Sequence, residues 1–416
     1  MTLLEADSQA VIDSAEPHEL VTPLRVLFVQ TSMPVGGAET LLVNLVERLD
    51  PERFVPEVVC LKEPGPLGEL LRERGYTVHE RMLSGKYDLR VLPRLIRLMK
   101  QREIDAVVTV GAGDKMFWGR LAARIAGVPV IASALHSTGW PDGVGRLNRL
   151  LTPITDAWIA VAEPHGEFLV DFERFPADRV KVIPNGIDTD RFVPAPQSNA
   201  LREEIGANAS TPIVGILAAL RPEKNHELFL RGARGVLDKI PESRFVVIGD
   251  GPERPKLEAI ARDLAIDHAV HFLGNRSDVP DVLAAIDVLA LTSHNEANPV
   301  SILEAMSCGK PVVATDVGSV SESVVQEQTG HLIPAGDEGA LIEALSDLLL
   351  DPVRAREWGA KSRQRVQERS SLDVMVGGYE RLIADVYWKK TGWRLPPASA
   401  DAAPAAAPPE ALHSTG

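Results

Sequence analysis

The chain has 416 residues, 45% of them hydrophobic, and a formal net charge of −14. That length predicts two domains, each able to bury a core. The acidic balance, spread along the chain, argues against a nucleic-acid-binding protein and against a generally basic membrane face. Two cysteines, Cys60 and Cys308, sit in apolar runs and cannot make a disulfide framework, so a reducing, cytoplasmic setting is expected. The opening MTLLEADSQAVIDSAEPHEL has no basic region followed by an apolar one, and no apolar run approaches membrane-spanning length. Residues 1–23 read as a flexible segment. From residue 24 short β-branched runs alternate with amphipathic ones: RVLFVQ (25–30), FVPEVVCL, TVHERM, IDAVVTVG (104–111), PVIASAL (129–135), AWIAVA (157–162) and VKVIPNG (180–186). This βαβ alternation predicts a parallel sheet covered on both faces, over residues 24–190. The Pro-, Asn- and Ala-containing stretch at 191–211 reads as a linker. A second alternating series fills 212–372, with IVGILAAL (213–220), RFVVIGD (244–250), AVHFLG (269–274), DVLALTS (287–293), PVVAT (311–315) and GHLIP (330–334). A helix over 373–392 is expected to return to the first domain, and the Pro/Ala-rich 393–416 reads as a disordered tail. The expected fold class is α/β, two doubly wound, Rossmann-like parallel-sheet domains in tandem, with ligands at the carboxyl ends of the strands.

Four loops that follow predicted strands carry unusual residues. TSMPVGGAET (31–40) places Gly36 and Gly37 before a helix starting near Ala38, either a tight turn or a close approach to an anion. It is no dinucleotide fingerprint, since G-x-G-x-x-G is missing. His136 follows PVIASAL, where it is either a hydrogen-bonding residue or a donor or base near developing charge. RPEKNHE (221–227) puts Arg221 and Lys224 at a helix start, the wrong end for dipole compensation, which makes sense if a diphosphate binds there. HNEANPVSILEAMSCGKPVVATD (294–316) holds Glu296 in a loop and Glu304 inside the helix that follows. Pro299 suits a first helical position, Asn298 an N-cap, and Gly309 a helix stop. Free N–H groups near Val300 and Ser301 would then receive an anion between the two carboxylates. The plain alternative is dipole compensation by Glu304 and a solvated Glu296.

Together, GGAE, His136, VIPNGID (182–188), RPEKNHE, GDGPE (249–253), FLGNRSDV and the two glutamates ahead of AMSCGKPVVATDVGS resemble the retaining family 4 glycosyltransferases of the two-domain GT-B fold, over residues 24–390. The resemblance implies a nucleotide-sugar donor, a carbohydrate or lipid-linked acceptor, and retention of anomeric configuration. It implies that Glu296 contacts the transferred sugar and that Glu304 holds the ribose hydroxyls. Ala297, Asn298, Val300 and Ser301 would line the sugar and diphosphate, and Lys224 would neutralise the leaving group. Gly36 and Gly37 would approach the phosphates, His136 the acceptor side of the sugar, and Leu273, Gly274, Asn275 and Arg276 the base. Two departures stand out. Ala219 occupies the place of an arginine common in the family, so Arg221 is the candidate replacement, and Ala297 and Asn298 replace the usual glycine and aromatic residue.

The resemblance also implies front-face displacement under two closing domains, with fixed cations doing the work of a metal. No required metal or cofactor is expected, and no His cluster with metal spacing is seen. The loops at 84–90 and 136–149, with Trp140, Arg146 and Arg149, are the candidate acceptor region and a candidate peripheral membrane contact. The competing readings are a noncatalytic sugar-nucleotide-binding protein on the same fold and a nicotinamide oxidoreductase, for which Gly111 and Gly113 offer only a lone G-x-G.

Overall fold

The computed structural model describes residues 18–84, 88–111, 113–136, 145–196 and 199–397. The chain forms two compact units, one of Met1–Ile159, Phe175–Lys181 and Val376–Gly416, the other of Ala160–Arg174 and Val182–Met375.

After a two-residue strand β1 (His18–Glu19), the first unit builds on β2 (Leu24–Gln30), β3 (Phe54–Cys60), β4 (Thr77–His79), β5 (Ala106–Val110), β6 (Val130–Ala134), β7 (Ala157–Ala160) and β8 (Val180–Val182). They form one sheet in the order β4-β3-β2-β5-β6-β7-β8. Every residue of β5 and β6 is buried, as parallel strands covered on both faces require. Within this sheet Glu57 of β3 is 1% exposed and accepts hydrogen bonds from His79 Nε2 (2.8 Å) and Arg102 Nη2 (2.8 Å), and from Arg25. Burial opposes ionisation of Glu57, but these hydrogen bonds, His79 first, outweigh it and hold the carboxyl at about 2.

The second unit builds on β9 (Ile213–Leu217), β10 (Arg244–Ile248), β11 (Val270–Gly274), β12 (Val288–Leu291), β13 (Val312–Thr315) and β14 (Gly330–Ile333), in the order β11-β10-β9-β12-β13-β14. Its paired strands are parallel. Counted in chain order from β2 and from β9, both sheets run outward from a first strand and then reverse. The reversal leaves a crevice at the carboxyl ends of β2 and β5 in one unit and of β9 and β12 in the other.

Four boundaries differ from expectation. Of the first domain expected over 24–190, Ala160–Arg174 and the residues from Val182 onward belong to the second unit. The stretch at 191–211 is part of the second unit rather than a linker. Phe192, Leu201 and Ile205 are buried in its core, and Arg202 is tied to backbone carbonyls. Its polar composition hid an apolar stripe that docks on the sheet. In the segment read as flexible, His18 and Glu19 pair with Trp393 and Arg394, the strand β15 (Trp393–Arg394), in what was read as tail. Residues 1–17 and 398–416 lie outside the described residues. The helix Leu372–Thr391 passes from the second unit into the first at Val376.

Candidate functional site

The crevice between β9 and β12 in the second unit brings together the residues singled out at 221–227 and 294–304. The chain leaves β12 through Thr292 and Ser293, both fully buried. Thr292 Oγ1 donates to the Asn225 carbonyl (2.9 Å), and the His294 N–H donates to the Glu223 carbonyl (2.8 Å). These bonds tie the loop after β12 to the loop after β9. Across that tie Lys224 Nζ donates to Glu296 Oε1 at 2.6 Å, and Ser293 Oγ donates to the same oxygen at 2.7 Å. Glu296 is only 7% exposed, so it is not the solvated loop carboxylate of the plain alternative.

Lys224 closes a 3-10 turn, Pro222–Lys224, ahead of the helix His226–Lys239. Asn225 takes a left-handed conformation (φ 48) and caps that helix by accepting from the Leu228 N–H. The turn therefore lifts Lys224 out of the helix and aims it at the β12 loop. Arg221, ahead of the turn, has extended backbone and is exposed.

Behind Glu296 the loop leads into the helix Val300–Ser307, which begins one residue later than expected, with Pro299 in the N-cap position. Asn298 does not cap it. Its Nδ2 donates to the Val161 carbonyl (2.9 Å), while its own carbonyl accepts from Asn185 Nδ2 (2.9 Å). A tertiary lock replaces the local cap, and Ala297 and Asn298 are both buried. Asn298 Oδ1 is buried and has no hydrogen-bond partner among the described residues. Val300 and Ser301 occupy the first turn and are partly accessible, so the first-turn N–H groups, which have no intrahelical partner, mark an anion-favouring end. Gly309 (φ +71) ends the helix as expected, with its N–H donating to the Met306 carbonyl.

Glu304 lies just over one turn inside. Burial pushes its carboxyl up to about 7, opposed by the charge of Arg191. Among the described residues that carboxylate takes no side-chain hydrogen bond and no ion pair. A desolvated carboxylate in this position is suited to hydroxyl donors that a ligand would bring.

The segment Leu273–Arg276 forms the end of the edge strand β11 and the turn after it, at the carboxyl end of the same sheet. Gly274 (φ +68) offers its carbonyl to the Gly249 N–H (2.9 Å), and Arg276 is bound bidentately by Asp278 (2.8 and 2.7 Å) and paired with Glu204. Side-chain hydrogen bonds from Arg276 to Asp278 raise its pKa further, so its guanidinium is committed to carboxylates.

In the first unit Gly36 is extended (φ −164) at the N-cap of the helix Gly37–Arg48, and the Thr40 N–H donates to its carbonyl (2.9 Å). This helix starts one residue before the expected position. His136, two residues beyond β6, is partly buried, and residues 137–144, with Trp140, lie outside the described residues. So do 85–87 of the other candidate acceptor loop. No helix among the described residues is long and apolar enough to cross a membrane.

Several contributors escaped the sequence reading. Gly318 has φ +56, and a Cβ there would sit 1.7 Å from the Glu296 carbonyl oxygen, which accepts from the Ser319 N–H. A Cβ on Gly249 would fall 2.2 Å from the Ala218 carbonyl, and one on Gly251 2.5 Å from that of Leu220. The glycines in DVGS and GDGPE are thus the signal: each lets one strand-end loop press against another. Ser293 and Thr292 carried no signal, being ordinary polar residues until the fold places them, and Asn185 stood only as part of VIPNGID.

Two family descriptions cover most of the chain, "Glycosyltransferase Family 4" over residues 35–191 and "Glycosyl transferases group 1" over residues 197–365. The Bacillus subtilis (strain 168) protein EpsF, named as a glycosyltransferase, is 30% identical over 313 residues, 72% of this chain and 80% of EpsF. The Escherichia coli UDP-Gal:alpha-D-GlcNAc-diphosphoundecaprenol alpha-1,3-galactosyltransferase is 29% identical over 346 residues, 79% of this chain and 89% of that enzyme. Among solved structures, Anabaena Alr3699/HepE in complex with UDP superposes with a TM-score of 0.77 at 22% identity, covering 87% of this chain and 100% of that one.

Proposed function

Since the chain belongs to the family 4 glycosyltransferases, which act on nucleotide sugars, we propose that it moves a sugar to an acceptor hydroxyl with retention of anomeric configuration. The observation that carries this reading is the Lys224–Glu296 pair, 2.6 Å apart, at the N-terminal end of the helix that holds Glu304.

The chemistry follows from charge. As the glycosidic bond breaks, negative charge collects on the departing diphosphate and positive charge on the sugar. Lys224 and the first-turn N–H groups at Val300 and Ser301 stabilise the first, with exposed Arg221 as a further cation, and the Glu296 carboxylate stabilises the second. In the structure Lys224 and Glu296 neutralise each other, and a donor entering between them would exchange that contact for one to each end of the breaking bond. Glu304 accepts from ribose hydroxyls, and the turn Leu273–Arg276 flanks the base. His136 and the Gly36–Gly37 turn are the first unit's candidates for the acceptor hydroxyl and the phosphates. No required metal enters the scheme.

UDP-sugars are the first donors to test, and polyprenyl-diphosphate-linked saccharides the first acceptors, because the Escherichia coli relative is named for both. Such an acceptor would bring the protein to a membrane surface as a peripheral enzyme. The test is calorimetric titration of UDP, GDP and ADP, followed by transfer assays in EDTA with the product's anomeric configuration read by NMR. One nucleotide should bind, Glu304→Ala should lose that binding, and the configuration should be kept. Binding without transfer to any saccharide acceptor would leave a nucleotide-binding protein, and an inverted product would sink the retaining scheme.

A further inference from the structure

The second unit has another concave site, at the opposite end of its sheet from the crevice. Its walls come from residues that precede strands: Thr211 and Pro212 before β9, Asp287 before β12, and Lys310 and Pro311 before β13. Arg356 of the helix Pro352–Arg369 and the apolar Leu348 and Leu349 close the other side, around a cavity of about 500 Å³.

Arg202 lines this cavity and is 3% exposed. Its Nη1 donates to the carbonyls of Asn208 and Thr211 (both 2.8 Å) and its Nη2 to that of Ala285 (3.0 Å). Its Nε is buried and has no hydrogen-bond partner among the described residues. Lys310 Nζ donates to the neutral carbonyl of Ala284 (2.9 Å). Arg356 is exposed at the rim. Against these cations stands one carboxylate, Asp287, which accepts from the Ile213 N–H (2.8 Å) and lies 3.6 Å from Arg202 Nη2. The lining is therefore cationic in a chain whose formal net charge is −14. Dipole compensation at the end of the helix Val300–Ser307 accounts for Lys310 alone. It accounts neither for the buried Nε nor for a second arginine across the gap.

We propose that this cavity binds a small organic phosphate, separately from the nucleotide sugar. Lys310 and Arg356 face the phosphoryl oxygens, the Arg202 guanidinium adds its positive charge from the wall, and the partly exposed Leu349 packs against the carbon skeleton.

The test titrates glucose 6-phosphate into the full chain by calorimetry, with glucose as the uncharged control. Arg356→Ala should weaken glucose 6-phosphate by about tenfold, the size expected for one charge-assisted contact. Lys224→Ala, in the crevice, should leave it unchanged, and glucose should not bind. Arg356 is exposed, so its removal should keep the far-ultraviolet circular dichroism of the parent. The proposal is overturned if glucose 6-phosphate shows no binding at millimolar concentration. It is equally overturned if the affinity survives Arg356→Ala and is lost in Lys224→Ala, which would place the anion in the crevice.

Discussion

Two glutamates, one in each unit, show how differently the units treat a desolvated carboxylate, Glu57 being buried and Glu304 partly exposed. Glu57 sits in the body of the first sheet, with His79, Arg102 and Arg25 around it and a carboxyl held at about 2. Glu304 sits at the carboxyl end of the second sheet, in a helix, with a carboxyl that burial pushes up to about 7. The first carboxylate is fully satisfied by its own protein, and there is nothing left for it to bind. The second has been desolvated without receiving hydrogen bonds, which is a cost the fold alone does not recover. A desolvated carboxylate with all its partners belongs to the scaffold. One that lacks them marks where a ligand completes the structure.

The contrast can be broken by substitution. Glu57→Gln leaves Arg25 and Arg102 facing a neutral amide and should lower stability by about 3 kcal/mol in denaturant unfolding, the low end for breaking a buried pair. A loss below about 1 kcal/mol would mean that the cluster is decorative. Lys224→Ala should lower kcat by about 10²-fold, the scale of one preorganised charge at a leaving group. Its melting temperature should move far less than that of Glu57→Gln, and the reverse pattern would make Lys224 structural.

The two carboxyls also sharpen the comparison through pH, with opposite signs. Glu57 titrates in the folded protein below its ordinary value of 4.5, so its stabilisation is complete above that value and disappears as pH falls toward about 2. Glu304 titrates above 4.5, so its contribution is complete below that value and is lost as pH rises through about 7. Stability curves of the parent and Glu304→Gln should therefore diverge between pH 4.5 and about 7. Parallel curves across that window would contradict the desolvated carboxylate. The smallest expected effect belongs to Ser293→Ala, which removes one hydrogen bond from Glu296. It should lower kcat about fivefold, near 1 kcal/mol, with the donor KM little changed.

Much of the fold was legible because parallel strands buried on both faces are written as runs of Val, Ile, Leu and Ala, as in β5 and β12. The site was legible in its members but not in its contacts. Lys224 and Glu296 were each singled out, yet nothing local says that residues 72 apart meet. Asn298 was misread because a local rule, capping, lost to a tertiary partner, the Val161 carbonyl, which only the fold brings near. The supposed linker was misread because Phe192, Leu201 and Ile205 are spaced through polar sequence too short to show a period. The two-residue strands β1 and β15 are shorter than any pattern.

That last pair has a practical consequence. His18 lies beside Trp393 and Glu19 beside Arg394, so the described chain of the first unit closes on itself like a clasped belt. Joining the two ends through a short glycine-serine linker and reopening the exposed turn at Pro51–Glu52 should yield a circular permutant that keeps the seven-stranded sheet. A reporter placed beside Glu19 or beside Arg394 would report from the same neighbourhood.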